Sequence, residues 1–205
     1  MLTGCGYHFE GSDVESGPVT ISVPYIKGDP EGMLSAELVK ALSSSGQFDC
    51  VQLGGMLNLE VAIIAEGDDR IGYRFDRDPT SGHLRDNIVG TENRFTVSAD
   101  VKLIDTYSNQ ILIGPLVVKA HNDYDYVDSN SIRDLTFFTP NGTPEKVLDF
   151  SLGQLDSIEG AHDDSYAVVF KHLAQKIVDG IIAQSGCDFA KMSEAASEKK
   201  QQPKE

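Results

Sequence analysis

The chain has 205 residues, enough for one well-packed core, with 40% hydrophobic and 8% aromatic residues and no tryptophan. A formal net charge of −15 argues against a nucleic-acid binder, because phosphate would be repelled over most of the surface. No apolar run approaches the ~20 residues that a membrane-spanning helix needs, so membrane attachment would have to come through a covalent lipid.

The first stretch supplies a place for one. Leu2-Thr3-Gly4-Cys5 is a large aliphatic residue, two compact residues and a cysteine, the pattern that a lipoprotein signal peptidase cuts. The Cys5 thiol would take a diacylglyceryl group, and the new amino group would be free for acylation. Only four residues precede Cys5, so the charged and apolar parts of a secretory signal are missing. Residues 1–5 therefore read as the remnant of a lipoprotein signal in a chain trimmed or started late.

Residues 6–18 read as a tether, rich in Gly, Ser and Asp from Glu10 to Pro18. Val19, Ile21, Val23 and Tyr25 alternate with Thr20, Ser22 and Pro24, which predicts a first strand over 19–25. After the Lys27-Gly28-Asp29-Pro30 turn, Leu34, Leu38 and Leu42 recur at i, i+4, i+8 and predict a helix over about 31–44. Gly46 stands where a left-handed C-terminal cap belongs. Leu57, Leu59, Val61, Ile63 and Ala65 alternate with Asn58, Glu60, Ala62 and Ile64 in a second strand, extending in some form through Ile71, Tyr73 and Phe75.

Asp78-Pro79-Thr80-Ser81-Gly82 has turn chemistry. Phe95, Val97, Ala99, Val101 and Leu103 alternate strictly with Arg94, Thr96, Ser98, Asp100 and Lys102, giving a third strand with one face in the core. Tyr107-Ser108-Asn109 turns the chain into a fourth strand over 111–120, where Pro115 implies an edge or a bulge.

Residues 122–164 form an acidic insertion, with ten carboxylates against Arg133 and Lys146. Thr143-Pro144-Glu145 predicts a short helix inside it. Its aromatic residues leave two readings open, a solvated excursion laid on the main domain or a docking surface. Asp163 or Asp164 is expected to cap a last helix, with Tyr166, Phe170, Leu173, Ile177 and Ile181 as its buried stripe and Gly186 at its end. The Ser, Glu, Lys and Gln of 189–205 predict a disordered tail.

The order β-α-β-β-β-α predicts one α+β domain over 19–188, a sandwich with two helices packed on one face of a four-stranded mixed sheet. The first strand-helix-strand unit should join parallel strands by a right-handed crossover, and the next two links should be hairpins. The two helices then run parallel. That brings Cys50 and Cys187 to the same end of the molecule, either disulfide-bonded or as two separately buried thiols.

Cys5-Gly6-Tyr7-His8-Phe9 resembles the Cys-Gly-aromatic-His-aliphatic opening of the lipopolysaccharide-assembly lipoprotein family, LptE. The strand at 19–24, the helix sequence EGMLSAELVKAL at 31–42, and the long hairpin through YRFDRD at 73–78 are similar to that family's order of elements. Glu10 departs from it where many relatives carry Arg, and the 122–164 insertion is longer than the family core needs. The resemblance implies an outer-membrane lipoprotein on the periplasmic face, anchored in the inner leaflet. Its partner would be the β-barrel LptD, which it would plug and help to assemble for lipopolysaccharide insertion. The alternative is a periplasmic lipoprotein of the same topology that activates a cell-wall synthase.

Direct contact with lipopolysaccharide phosphates would want arginines, whose fork binds two oxygens at once. Arg70, Arg74, Arg77, Arg85 and Arg94 lie along the hairpin and are the candidates. No enzyme is expected: the chain has no nucleophile elbow, P-loop or zinc-spaced Cys/His set, and so no implied cofactor or metal. His121, Asp123 and Asp125, like His162, Asp163 and Asp164, read as turn and cap residues, since Val127 breaks a calcium-loop pattern.

Overall fold

The structure is a computed structural model and describes residues 19–78, 81–126, 136–146 and 158–185. The order is β1 (Val19–Ser22), α1 (Met33–Ser44), β2 (Phe48–Val51), β3 (Leu57–Arg77), β4 (Leu84–Asp105), β5 (Ile111–Asp125), β6 (Thr136–Phe138), β7 (Pro144–Lys146) and, last, α2 (Ile158–Ser185). The main sheet runs β2-β1-β3-β4-β5, and β6 with β7 forms a separate two-stranded ribbon.

The fold is α+β, with two helices and a mixed sheet of five strands, rather than four, among the described residues. The additional strand is β2, which pairs parallel to β1 from Val19↔Phe48 to Ser22↔Val51. Four residues are too few to display a period of two. Only the tertiary partner makes them a strand. β1 also pairs parallel with β3 at Ile21↔Leu57, while β3–β4 and β4–β5 are antiparallel, as the topology argument expected.

α1 begins at Met33, two residues later than expected, after Gly32 in a left-handed conformation. Asp29 substitutes for a cap from outside the helix, its Oδ2 accepting the Ser35 N–H and Oγ–H at 2.9 Å each. Leu34, Leu38 and Leu42 are fully buried against Ile21, Leu57, Leu59 and the stripe of α2. That stripe is Phe170, Leu173, Ile177 and Ile181, widened by Val169, Ala174 and Val178.

α2 starts at Ile158, ahead of Asp163 and Asp164, so neither is its cap. Gly160 disguised the first turn, and burial of Ala161 beneath it outweighs that residue's low propensity. The short helix expected at Thr143-Pro144-Glu145 is instead strand β7, paired Phe138↔Pro144 across a Thr139–Thr143 turn. β4 and β5 both run past their expected ends, to Leu84 and Asp125. Pro115 does sit on the sheet's edge strand. It follows Gly114, whose φ of +97° and contact with the Val101 carbonyl leave no room for a side chain. Among the described residues no helix is long and apolar enough to cross a membrane.

Candidate functional site

β3 and β4 outrun the rest of the sheet. β1 leaves β3 after Asn58, and β5 pairs with β4 only from Glu92 onward. From Gly72 to Arg77, and back from Leu84 to Gly90, the two strands pair with each other alone among the described residues. Six residues at ~3.4 Å each give an arm projecting roughly 20 Å. Register shifts flank Gly72, so the arm departs from the sheet at an irregular, bulged joint.

One face of the arm is apolar and open. Tyr73 and Phe75 share a face two residues apart, and Phe75 is the cross-strand partner of Ile88. Tyr73, Phe75 and Ile88 are 58%, 56% and 59% exposed, and Leu84 at the tip is 61% exposed. Nothing in the domain core needs these side chains. Exposed aromatic and branched residues at this density mark a surface built for contact. Tyr73 pairs with Gly90, where a Cβ would fall 2.5 Å from the Tyr126 hydroxyl and 2.6 Å from Arg70 Cδ. Gly90 therefore lets Tyr126 and Arg70 lie flat on the ribbon and continue the face inward.

At the arm's base the face becomes a packed network. The Tyr124 hydroxyl donates to Asp68 Oδ1 at 2.9 Å and accepts from Asn93 Nδ2 at 3.1 Å. His162 Nε2 of α2 stands 3.0 Å from Asp68 Oδ2, and the Tyr166 hydroxyl donates to Glu66 Oε2 at 3.2 Å. His162 and Tyr166 both pack on Phe95, with ring centroids 4.8 and 4.7 Å away. Burial, chiefly, pushes the Tyr124 phenol above its ordinary pKa, opposed by the Asn93 hydrogen bond and reinforced by Asp68. These contacts tie all three strands at the arm's root to α2. Sequence reading passed over Asp68, Asn93 and Tyr124, since only the β3–β4–β5 register brings them together.

The five expected arginines are all on β3 or β4, but the structure does not gather them. Arg94 is locked to Asp123 by two 2.7 Å contacts, Nε to Oδ1 and Nη2 to Oδ2. Arg85 pairs with Asp78 at 3.0 Å and Asp76 at 3.7 Å, and Arg77 Nη1 donates to the Gly82 carbonyl at 3.1 Å. Arg70 lies over Gly90 on the apolar face, whereas Arg74, opposite Val89 in register, falls on the reverse face. Arg74 makes no ion pair among the described residues.

Cys50 is half-buried on β2 with its Sγ 3.8 Å from the Val39 carbonyl oxygen. Cys5 and Cys187 lie outside the described residues, as do the tether and the tail. His121, Asp123 and Asp125 sit on strand β5 rather than in a loop, and among the described residues no group of three acidic, His or Cys side chains could hold a metal ion.

No protein-family model matches the chain, and no curated protein does. Solved structures of bacterial proteins resemble it at low identity. A minor lipoprotein from Acinetobacter baumannii is 10% identical, covering 80% of this chain and 92% of its own, with a TM-score of 0.41. Rare lipoprotein B from Shewanella oneidensis is 10% identical, covering 84% and 98%, with a TM-score of 0.37. A protein from Xanthomonas campestris is 10% identical, covering 86% and 91%, with a TM-score of 0.48.

Proposed function

We propose that this chain is an outer-membrane lipoprotein, anchored through Cys5, that acts by binding rather than catalysis. Its β3–β4 arm docks on a β-barrel partner of the LptD kind, and the pair serves lipopolysaccharide insertion in the outer leaflet. The observation that carries the reading is the arm, which sets Tyr73, Phe75, Leu84 and Ile88 in solvent beyond the helices. Such a face gains from entering a concave apolar surface and contributes nothing to the domain's own core. The Leu-Thr-Gly-Cys opening supports the anchor. One acyl chain holds a protein only marginally at a membrane, and a diacylglyceryl thioether with an acylated amine exceeds that.

The test is affinity recovery from detergent-solubilised outer membranes, using full-length protein with its native signal and mass spectrometry of the partners. A large β-barrel should come down with the parent and be lost with Phe75→Ser/Ile88→Ser. A cell-wall synthase in its place would transfer the protein to the activator class. Radioactive palmitate should label the parent and not Cys5→Ser; label persisting in the variant would remove the anchor.

A further inference from the structure

The helices cover one face of the main sheet, where Leu57, Leu59 and Val61 of β3 and Val101 and Leu103 of β4 are buried. Alternation sends Glu60 and Ala62, with Asp100, Lys102 and Ile104, to the reverse face. Near the start of β3 that reverse face is set with apolar groups. Ile104 pairs across strands with Ile111, and Val117 stands opposite Asp100. Tyr25 and Leu53 line two adjoining hollows on it that share Pro24 and Glu60. Leu53 is 90% exposed, and Tyr25 and Tyr107 are 76% exposed each.

The two loops that carry Leu53 and Tyr107 are pinned. The 52–56 loop has to pass β1, which lies between β2 and β3 in the sheet. Its Met56 N–H donates to Thr20 Oγ1 at 3.0 Å, and a Cβ on Gly55 would stand 2.7 Å from the Ser22 nitrogen. Asp105 closes the other loop, accepting the Tyr107 N–H on Oδ1 and the Ser108 hydroxyl on Oδ2 at 2.9 Å each. The Thr106 N–H donates to the Met56 carbonyl at 3.0 Å and joins the two. Large apolar side chains held in solvent on a hydrogen-bonded backbone, and grouped on one face, mark a surface for contact.

Position and chemistry name the occupant. Val19 leads into Ile21, which pairs with Leu57, and Leu57 pairs with Asp105 beside the Tyr107 turn. The chain therefore enters the domain next to this face. Cys5 lies fourteen residues before Val19, a span of at most about 50 Å. Acylated Cys5 would keep the face close to a leaflet, where weak contacts suffice because the local concentration is high. Tyrosine and aliphatic side chains on separate tips suit the boundary between headgroups and acyl chains, which takes up a ring and leaves its hydroxyl wet. Charge permits the approach. The whole chain carries −15, but the hollow beside Tyr25 sets Lys27 and Lys102 against Glu60 and Asp100.

We infer that the sheet face turned away from α1 and α2 rests on a phospholipid leaflet, an orientation that builds on the Cys5 anchor proposed above. Tyr25, Leu53, Tyr107, Ile111 and Val117 are the side chains that enter the interface. Tyr25 and Val117 sit on the face itself rather than at its end. The sheet therefore lies along the bilayer and carries the arm sideways, toward a barrel embedded in the same membrane.

The test uses the full chain with Cys5→Ser, which carries no lipid, floated on a density gradient with vesicles of phosphatidylethanolamine and phosphatidylglycerol. It should float. Leu53→Ser/Tyr107→Ser in the same background should partition about tenfold less while melting with its parent, since both side chains are exposed. The chain has no tryptophan, so Leu53→Trp is a single reporter and Val168→Trp on α2 is its control. Brominated lipid should quench the first and spare the second. No flotation, equal partition of the serine variant, or equal quenching of the two reporters would overturn the surface. Dimerisation of the Cys5→Ser chain that the serine substitutions abolish would give the face to a second copy and overturn it as well. These readouts involve neither palmitate nor the barrel, so the orientation and the proposed function fail separately.

Discussion

Arg94 and Asp123 face each other directly across β4 and β5, joined by two contacts of 2.7 Å. The pair fixes the last stretch of β5 to β4 next to the arm's root. It also occupies the Nε and Nη2 edge of Arg94, so a phosphate bound there in the same two-oxygen manner has to compete with Asp123. Both groups are solvent-exposed, so the pair steers register more than it stabilises the fold.

The first prediction concerns this pair. The hydrogen bond from Arg94, ahead of its charge, holds the Asp123 carboxyl below the usual carboxylate range. A depressed carboxyl contributes stability above its unfolded pKa of about 3.9, and that contribution is lost as pH falls through the lower folded value. Arg94→Ala should return Asp123 to the ordinary range in an NMR titration. Stability near neutrality should barely change, and partner recovery should match the parent's. An unmoved Asp123 titration would mean that the pair does not persist in solution.

The arm should be separable from the core. Phe75→Ser/Ile88→Ser removes only exposed apolar surface, and such substitutions usually shift stability by less than about 0.5 kcal/mol each. The melting temperature should stay within a few degrees of the parent's while barrel recovery fails. Arg74→Glu/Arg77→Glu should likewise leave the fold intact and weaken lipopolysaccharide binding. A melting temperature that collapses in the serine variant would show that the arm belongs to the cooperative core.

Phe95 offers the contrasting case. It is 1% exposed and lies under both His162 and Tyr166, where the sheet gives way to the arm. Phe95→Ala should cost about 3–5 kcal/mol, the range for truncating a buried aromatic residue. Hydrogen exchange should quicken first in β4 and the opening turns of α2. A loss under about 1 kcal/mol would imply that the neighbouring rings collapse into the gap.

The contrast between Phe75 and Phe95 also shows what the sequence could and could not reveal. Phe95 to Leu103 alternates without a break, so that strand and its buried face were legible from period alone. Beyond Ile63 the β3 register slips at Ala65 and again around Gly72. Each slip moves the following residues between faces, so spacing no longer says which way Arg70 or Arg74 points. The Asp68–Tyr124–Asn93 network was invisible for a related reason: its members come from three strands and depend on two registers. Asp29 was readable as a turn residue, but not as the buried carboxylate that accepts from Ser35 and stands in for the α1 cap.

The last prediction follows from Tyr166 and Tyr124, whose phenols both titrate above the ordinary value because burial disfavours the phenolate. A raised folded pKa on an acid means that the folded state holds its proton longer than the unfolded chain does. The stability so contributed is complete below the unfolded pKa of about 10 and is lost as pH rises through the folded values. Ultraviolet titration should therefore show late-ionising phenols whose transition coincides with alkaline unfolding. Tyr166→Phe keeps the ring against Phe95 and Phe170 but removes the hydroxyl that Glu66 accepts from. It should delete one late transition and make the alkaline decline shallower. A late count unchanged from the parent's would show that Tyr166 is not among the phenols held back by burial.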